Sequence, residues 1–416
     1  MPKADLHNLR EGLHASYALV AHRGDERARE LADANVDLVS RFFDDTTGKW
    51  NESAFSTSYP GETTFTCGPT FTFPIAFGRM IGPVIKYHRA TGSEAALALA
   101  TRPVNYALDV VVIDSGRCDV TVFGAHVHST TAMLPSLAQY AEVTGDRRTL
   151  DHLEAFVENG ITELAVETGW VRENFFQKNT WGEGNNTVDL IEMYLILGRL
   201  RDPAYYRRVE RMLRAHLLPT QLVDTTFIEN ESDPDFGRSR IATQVLGAFG
   251  FPTPWGHEEQ PGAIIAYNWD IVGGVVAGLA EVTRWILTHA KHTSTIALHF
   301  DYEDALLDWT GPAEPGEPSV LRVRSARRVR ILLAEWANAG AILSDLRARD
   351  VPASVDGAWL QLDTLPENGD IVIDMRPPIT RERVNFRDTD LEVRSHGYFV
   401  TGMTAPGKRL RFFDEL

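Results

Sequence analysis

Two glutamates, Glu173 and Glu183, lie among aromatic and amide side chains where a loop meets the start of a predicted helix. The neighbours that could contact a sugar are Trp170, Trp181, Asn185 and Asn186. Carboxyl groups supply an acid, a base or a nucleophile, tryptophan faces stack on sugar rings, and amides hydrogen-bond to hydroxyls. The pattern predicts a carbohydrate site. The simpler interpretation is that Glu183 is a helix-start charge and Glu173 a solvated loop residue.

Other segments add polar side chains that could serve such a site. His126 and His128 stand two residues apart before a predicted helix, so in an extended loop only one of them would face a substrate. Glu258, in PWGHEEQPG, is a further candidate acid. The remaining residues predicted to contact substrate are Trp255, His257, Tyr267 and Trp269. The spacings give only a weak signal for metal ligands, so we expect no metal and no cofactor.

The composition is that of a globular protein with a large core, since 44% of its 416 residues are hydrophobic. The balance of 41 basic and 57 acidic residues gives a net charge of −16, so we expect neither nucleic acid nor an anionic membrane as a partner. A glycoside or oligosaccharide fits this charge better. Cys67 and Cys118 are too few for a disulfide framework. Oligomeric state cannot be read from the sequence.

The first 25 residues predict an amphipathic helix and lack the pattern of a secretory signal, so we expect a cytoplasmic protein unless a signal has been removed upstream. The longest apolar stretch, AIIAYNWDIVGGVVAGLAEV, contains an aspartate and three glycines, which is not typical of a membrane span. We therefore expect no membrane insertion.

Paired helices joined by tight turns recur up to about residue 290. The turns fall at Gly92, Gly145 and Asp202, a period of about 55 residues that indicates one helical hairpin per unit. Hairpins at this period with long outer connections favour an (α/α) toroid. Long loops inside a compact domain are often functional, so we expect four of them to converge on one rim. They are residues 53–74, 113–131, 167–189 and 226–270.

The pattern changes near residue 293, where apolar and polar positions begin to alternate with a period of two. TIALHFDY, SVLRVRS, RRVRILLAEW, WLQLDTL and DIVIDMR are predicted strands, separated by segments rich in Gly, Pro, Asn and Asp. The prediction is an α+β multidomain chain. An (α/α) barrel of six hairpins occupies residues 1–291, and an antiparallel β-sandwich occupies residues 292–416.

In this order, the helix entry WGEGNNTVD, the preceding GAHVHSTTAML helix and the PWGHEEQPG loop resemble the six-hairpin glycosidases. Among them the chain resembles the branch of glycoside hydrolase family 127, the β-L-arabinofuranosidase-like proteins, and the resemblance covers about residues 74 to 400. It implies that Glu173 matches the general acid/base of that family and Glu183 its zinc-binding glutamate.

The sequence departs from that family at its cysteines. The family has a cysteine two residues after the zinc-binding glutamate, where this chain has Asn185, and a Cys-Cys pair after the G-H-E loop, where this chain reads AIIAYNWD. Zinc–thiolate chemistry is therefore not expected here, and we expect activity without zinc.

The favoured function is an exo-acting glycoside hydrolase in which Glu173 is the general acid and Glu183 the second carboxylate. Three alternatives stay open. One is a polysaccharide lyase or uronate-specific enzyme, in which His126 or His128 works with Tyr267 to abstract a proton. The second is a sugar 2-epimerase-like isomerase with paired histidines, and the third is a sugar-binding protein without catalysis.

Overall fold

The computed structural model describes residues 6–59, 72–176, 181–226, 241–257, 269–365, 369–386, 389–404 and 411–416. The chain divides into two compact units. The first comprises Met1–Ala165 and Arg172–Asn179, and the second comprises Val166–Val171 and Thr180–Leu416.

The first unit is almost entirely helical. Its helices are α1 (Leu6–Arg23), α2 (Glu26–Phe42), α3 (Glu52–Ser58), α4 (Phe73–Ala76), α5 (Ile81–Thr91), α6 (Glu94–Tyr106), α7 (Val120–Phe123), α8 (Val127–Thr144) and α9 (Arg147–Asn159). Two short strands, β1 (Phe43–Asp44) and β2 (Lys49–Trp50), pair between α2 and α3. Single-turn helical segments lie at Gly78–Met80, Ala107–Val111 and Ile161–Glu163.

Three helical hairpins, α1–α2, α5–α6 and α8–α9, build this unit, as the repeat predicted. Gly92 and Gly145 end α5 and α8 with φ of 72° and 73°, a left-handed conformation that costs glycine little. The side chains of Ser93 and Asp146 then cap the next helix. Helix α5 packs against both α1 and α8. The first helix of each hairpin therefore begins at the end of the unit that carries the long connections.

The second unit combines helices with sheets. Its helices are α10 (Gly184–Leu200), α11 (Ala204–Met212), α12 (Ile241–Gln244) and α13 (Trp269–Ile286), followed further along the chain by α14 (Ala339–Arg347). Single-turn helical segments follow α11 at Leu213–Leu217 and Leu218–Thr220. The strands are β3 (Leu287–Ala290), β4 (Thr293–Ile296), β5 (Tyr302–Glu303), β6 (Leu307–Thr310), β7 (Ser319–Val323), β8 (Arg327–Leu332), β9 (Ala353–Asp356), β10 (Trp359–Leu365), β11 (Asp370–Ile373), β12 (Ile379–Phe386), β13 (Thr389–His396), β14 (Phe399–Met403) and β15 (Asp414–Glu415).

The strands form three sheets with the orders β3-β4-β8-β10-β9, β11-β7-β6-β5 and β12-β13-β14-β15. Pairing is antiparallel except between β4 and β8 and between β14 and β15. Four of the five strands predicted from the alternating pattern are present, as β7, β8, β10 and β11. The fifth prediction, TIALHFDY at residues 295–302, overlaps only the end of β4 and the start of β5. Strands begin at Leu287, directly after α13, which is earlier than the change near residue 293 expected from the pattern. The domain boundary at residue 291 stays a prediction.

A buried ion pair fastens the helical part of the second unit to its strands. Arg214 donates to the Glu210 carboxylate at 2.9 Å and to the Pro312 carbonyl at 2.9 Å. Its guanidinium lies 4.2 Å from the centre of the Phe300 ring and 4.7 Å from that of Phe399. Because both charged groups are buried, each depends on the other to offset its lost hydration.

Within the described residues, no helix combines the length and apolar character that crossing a membrane requires.

Candidate active site

In the first unit, three loops meet at the start of α8. The Thr72 hydroxyl donates to the Phe123 carbonyl at 2.9 Å, which ties the described end of the first long loop to the second. Two backbone hydrogen bonds of 3.2 and 3.0 Å then join residues 125–127 to residues 173–175. The predicted convergence of loops is therefore confirmed for these parts of the first unit. For the fourth loop it stays a prediction.

His126 and His128 are neighbours, contrary to the expectation that they face opposite sides. His126 has an extended backbone and precedes α8, but the helix begins at Val127, so His128 turns back with the first helical turn. The two ring centres are 5.9 Å apart, and Nδ1 of His126 lies 2.8 Å from the Ser129 hydroxyl. Both rings can therefore serve one site.

His128 is held in its neutral form. Burial, followed by the charges of Arg79, His126, Arg10 and His7, lowers its pKa well below the usual value of 6.5. A neutral imidazole can accept or donate a proton at neutral pH, so His128 is a candidate general base.

Glu173 is half-buried, and its backbone is fixed, since its carbonyl accepts a hydrogen bond from the Val127 N–H. Arg172 lies 5.8 Å from the centre of the Phe175 ring. The ring of Phe176, three residues after Glu173, is 67% exposed. The backbone of Glu173 is thus held next to the start of α8, and the ring of Phe176 does not seal its carboxyl group in an apolar pocket.

The second unit positions the other predicted carboxylate. Glu183 immediately precedes α10, is only 6% exposed and accepts a hydrogen bond of 3.2 Å from the Asn185 amide. Gly182 and Gly184 fasten this turn through backbone bonds to Pro252 and Gly250. Glu183 therefore stands at a helix start, as in the simpler interpretation, but it is buried. A buried carboxylate in such a rigid turn is a better candidate for chemistry than the simpler interpretation allowed.

Two tryptophans that the sequence associated with sugar stacking lie in the core of this unit. Trp170 is 2% exposed and its indole N–H donates to the Pro252 carbonyl at 3.0 Å. Trp255 is 5% exposed and packs in the same apolar cluster, with Phe386 and neighbouring strand residues. The prediction that Trp255 contacts substrate is therefore corrected, because its ring is covered by protein.

His257 is also fixed by protein contacts. Its Nε2 lies 2.9 Å from the Thr220 carbonyl, and its ring meets Phe412 edge to face at 5.0 Å. Burial lowers its pKa to about 4, more than the hydrogen bond to Thr220 raises it. These contacts favour a packing role over the predicted substrate contact.

The other predicted residues divide into two groups. Trp181 is half-buried and Asn186 fully buried in the second unit, so their predicted contacts with substrate stay predictions. Glu258 and Tyr267 lie outside the described residues, as does the side chain of Trp269, the first residue of α13.

The zinc–thiolate centre of the resembled family does not fit the described residues. Asn185 stands in place of a cysteine ligand, and its amide nitrogen donates to the carboxylate that would bind the metal. Burial raises the pKa of Cys118 to about 12, so this thiol is not a thiolate at neutral pH. The expectation of activity without zinc stays a prediction, which prolonged chelation tests.

A basic cluster of His7, Arg10 and Arg79 in the first unit was not predicted from the sequence. Arg79 lies just before α5, and its Nη2 is 3.3 Å from Nδ1 of His7, while Nη2 of Arg10 is 3.4 Å from the same atom. His7 and Arg79 are 72 positions apart in the chain. One feature of the sequence could have predicted this cluster. Arg10 and Arg79 both lie near the start of the first helix of a repeated hairpin.

No family model matches the sequence, and no curated protein matches it. Solved structures do match. A glycoside hydrolase family 127 β-arabinofuranosidase is similar at 12% identity with a TM-score of 0.50, and the match covers 95% of this chain and 75% of that one. A second enzyme of that family, from Geobacillus stearothermophilus T6, also has 12% identity, with a TM-score of 0.46 and coverage of 95% and 76%. The chain has the fold of the six-hairpin glycosidases and resembles family 127, as its motifs implied.

Proposed function

We propose that this chain is a carbohydrate-active enzyme, an exo-acting glycoside hydrolase that uses Glu173 as its general acid. One observation carries the proposal. Glu173 is held by backbone hydrogen bonds at the start of α8, where the long loops of the first unit meet. A general acid must be held within reach of the glycosidic oxygen, and a fixed, half-buried carboxyl meets that need.

Glu183 is the proposed second carboxylate. Its burial and its hydrogen bond from Asn185 orient one carboxylate oxygen, as a nucleophile or base requires. The resemblance to family 127 supports an acid/base role for Glu173. It does not assign the sugar, and the absent cysteines argue against transfer of the family's own nucleophile.

A second candidate is a uronate-specific enzyme or polysaccharide lyase, in which His128 abstracts the proton at C5 of a uronate. It is supported by His128, which lies beside His126 with ring centres 5.9 Å apart, because a neutral imidazole can accept a proton.

A product assay tests the proposal and separates these alternatives. The chain is incubated with a panel of aryl glycosides and oligosaccharides. The proposal predicts release of a free terminal sugar. Glu173→Gln should lower this release from oligosaccharides by about a hundredfold or more, and Glu158→Gln, an exposed control on α9, should leave it intact. Absorbance from a new C4–C5 double bond would instead identify a lyase. Conversion without change of mass would identify an isomerase, and binding without turnover a sugar-binding protein.

A further inference from the structure

A pocket lies in the second unit where helix α11 and its continuation meet strands or turns of all three sheets. It encloses about 450 Å³ of space, part of which is open to solvent. Apolar and aromatic side chains make up most of its wall, among them Trp336, Met375, Pro377, Tyr398 and Phe399. Small-molecule sites in proteins are usually of this kind, concave and mainly apolar with a few fixed polar groups.

Trp336 and Tyr398 supply an aromatic part of the wall. Their ring centres are 4.5 Å apart, and the Tyr398 hydroxyl donates to the Glu335 carboxylate, which fixes that ring. The backbone at Gly397 comes so close to the indole that a Cβ there would lie 3.0 Å from Cζ2 of Trp336. Protein contacts therefore hold the half-buried indole in place, and its face offers a flat surface on which an apolar ring face can stack.

Several polar groups of the pocket keep hydrogen-bonding capacity. Ser319 is 4% exposed, and within the described part of the chain its hydroxyl makes no hydrogen bond. The ring nitrogens of the half-buried His396 likewise have no hydrogen-bond partner among the residues that the structure describes. Because an unpaired polar group in a protein interior costs free energy, a ligand that supplies partners for these groups is favoured.

The charge in the pocket is already balanced. The Arg214 guanidinium pairs with Glu210 at 2.9 Å, and it also donates to the carbonyls of Pro312 and His299. Glu317, which is exposed, adds a second carboxylate to the wall. An anionic ligand would meet two carboxylates and a single guanidinium, so the pocket favours a neutral ligand.

We infer that this pocket is a second sugar-binding site, which takes a neutral monosaccharide unit against Trp336 with its hydroxyls directed to Ser319 and His396. A sugar ring combines an apolar face of C–H groups with hydroxyls that donate and accept, as these walls require. A wholly apolar ligand would leave the two polar side chains unpaired. The inference goes beyond the proposed function, since neither Glu173 nor Glu183 lines the pocket and binding there breaks no bond.

Binding of neutral methyl glycosides to the full chain tests the inference without any need for turnover. Isothermal titration measures the Kd of methyl glucoside, methyl galactoside, methyl mannoside and methyl arabinoside. We expect at least one of them to bind in the millimolar range. Ser319→Ala should then raise its Kd by about twofold to tenfold, the effect of one lost hydrogen bond.

The same variant separates a ligand contact from a structural role. Because the Ser319 hydroxyl has no hydrogen-bond partner in the described part of the chain, its removal should leave the free energy of unfolding in urea unchanged or higher. Ser354→Ala, an exposed serine on β9, is the matched control and should change neither quantity.

The indole wall is tested by two substitutions of Trp336. Trp336→Ala removes the stacking surface and should raise the Kd by about fivefold or more, whereas Trp336→Phe keeps a ring and should retain part of the affinity. Trp359→Ala is the matched control, because this half-buried tryptophan lies on β10 with its ring 4.8 Å from the Arg330 guanidinium and does not line the pocket. It should keep the wild-type Kd.

The inference is overturned if none of the four glycosides binds, or if one binds with a Kd that Ser319→Ala and Trp336→Ala leave unchanged. Loss of binding in Ser319→Ala together with a lower free energy of unfolding would assign the residue a structural role and also overturn it. Tighter binding of methyl glucuronide than of methyl glucoside at this site would contradict the neutral ligand. Tighter binding of p-cresol than of every glycoside would contradict the sugar.

Discussion

The dependence of the free energy of unfolding on pH can show whether His257 packs in the protein interior or contacts substrate. Burial holds its pKa at about 4, against 6.5 for an ordinary histidine. As the pH falls below 6.5, the ring of the unfolded chain takes up a proton while the folded ring stays neutral until about pH 4. The unfolded state therefore binds more protons in this window, and the stability that is complete above pH 6.5 is lost as the pH falls.

The size of this loss follows from the pKa difference. Each pH unit corresponds to about 1.4 kcal/mol for one group, so His257 lowers the free energy of unfolding by about 3 kcal/mol between pH 6.5 and 4. Native proteins are stable by only about 5–15 kcal/mol, which makes the effect measurable. His216 lies in the same region, and burial also lowers its pKa to about 4. It therefore makes a separate contribution to the loss of unfolding free energy at low pH.

His257→Gln tests this reasoning. Glutamine keeps an N–H for the Thr220 carbonyl but does not titrate, so the slope of unfolding free energy against pH should fall by about 1.4 kcal/mol per unit between pH 6.5 and 4. Urea denaturation at half-unit pH steps measures it. His292→Gln, in an exposed turn, is the control and should keep the wild-type slope. An unchanged slope in His257→Gln, together with lost turnover, would refute the packing role and restore the substrate contact.

Two further predictions concern the framework of the second unit. Gly182→Ala should lower the free energy of unfolding by about 1–3 kcal/mol in urea denaturation, because its Cβ would lie 2.5 Å from the Val171 carbonyl oxygen. Gly273→Ala, in open space on α13, should be neutral or slightly stabilising; equal losses in the two variants would contradict this reading. Arg214→Met should cost about 3–5 kcal/mol in the same assay by leaving Glu210 buried without its cation, and a loss below about 1 kcal/mol would show that the ion pair is dispensable.

Local patterns predicted most of the helical hairpins and four strands. The turns at Gly92 and Gly145 were readable because glycine and the following capping residue mark a helix end and a helix start together. Strand β12 could not be predicted from the sequence. Most of its side chains face solvent, so its sequence ITRERVNF lacks the alternation that marks a half-buried strand.

The candidate site was predictable only in part. Glu173 and Glu183 stood out through their neighbours in the chain, but the burial of Trp170 and Trp255 depends on strands more than 100 residues away. His126 and His128 lie on the same side because the helix begins at Val127. Helix boundaries are the features that a sequence pattern predicts least well. Arg10 and Arg79 meet only through tertiary packing.

The most direct test of the proposed function compares two leaving groups in Glu173→Gln. Glutamine keeps the shape and most hydrogen bonding of Glu173 but cannot deliver a proton. On a glycoside with a poor alkyl leaving group, turnover should fall by about a hundredfold to ten-thousandfold, which is about 3–5 kcal/mol of transition-state stabilisation. On the matching dinitrophenyl glycoside, which departs without protonation, the loss should be much smaller. Equal, small losses on both substrates would contradict the acid role of Glu173 and with it the proposed mechanism.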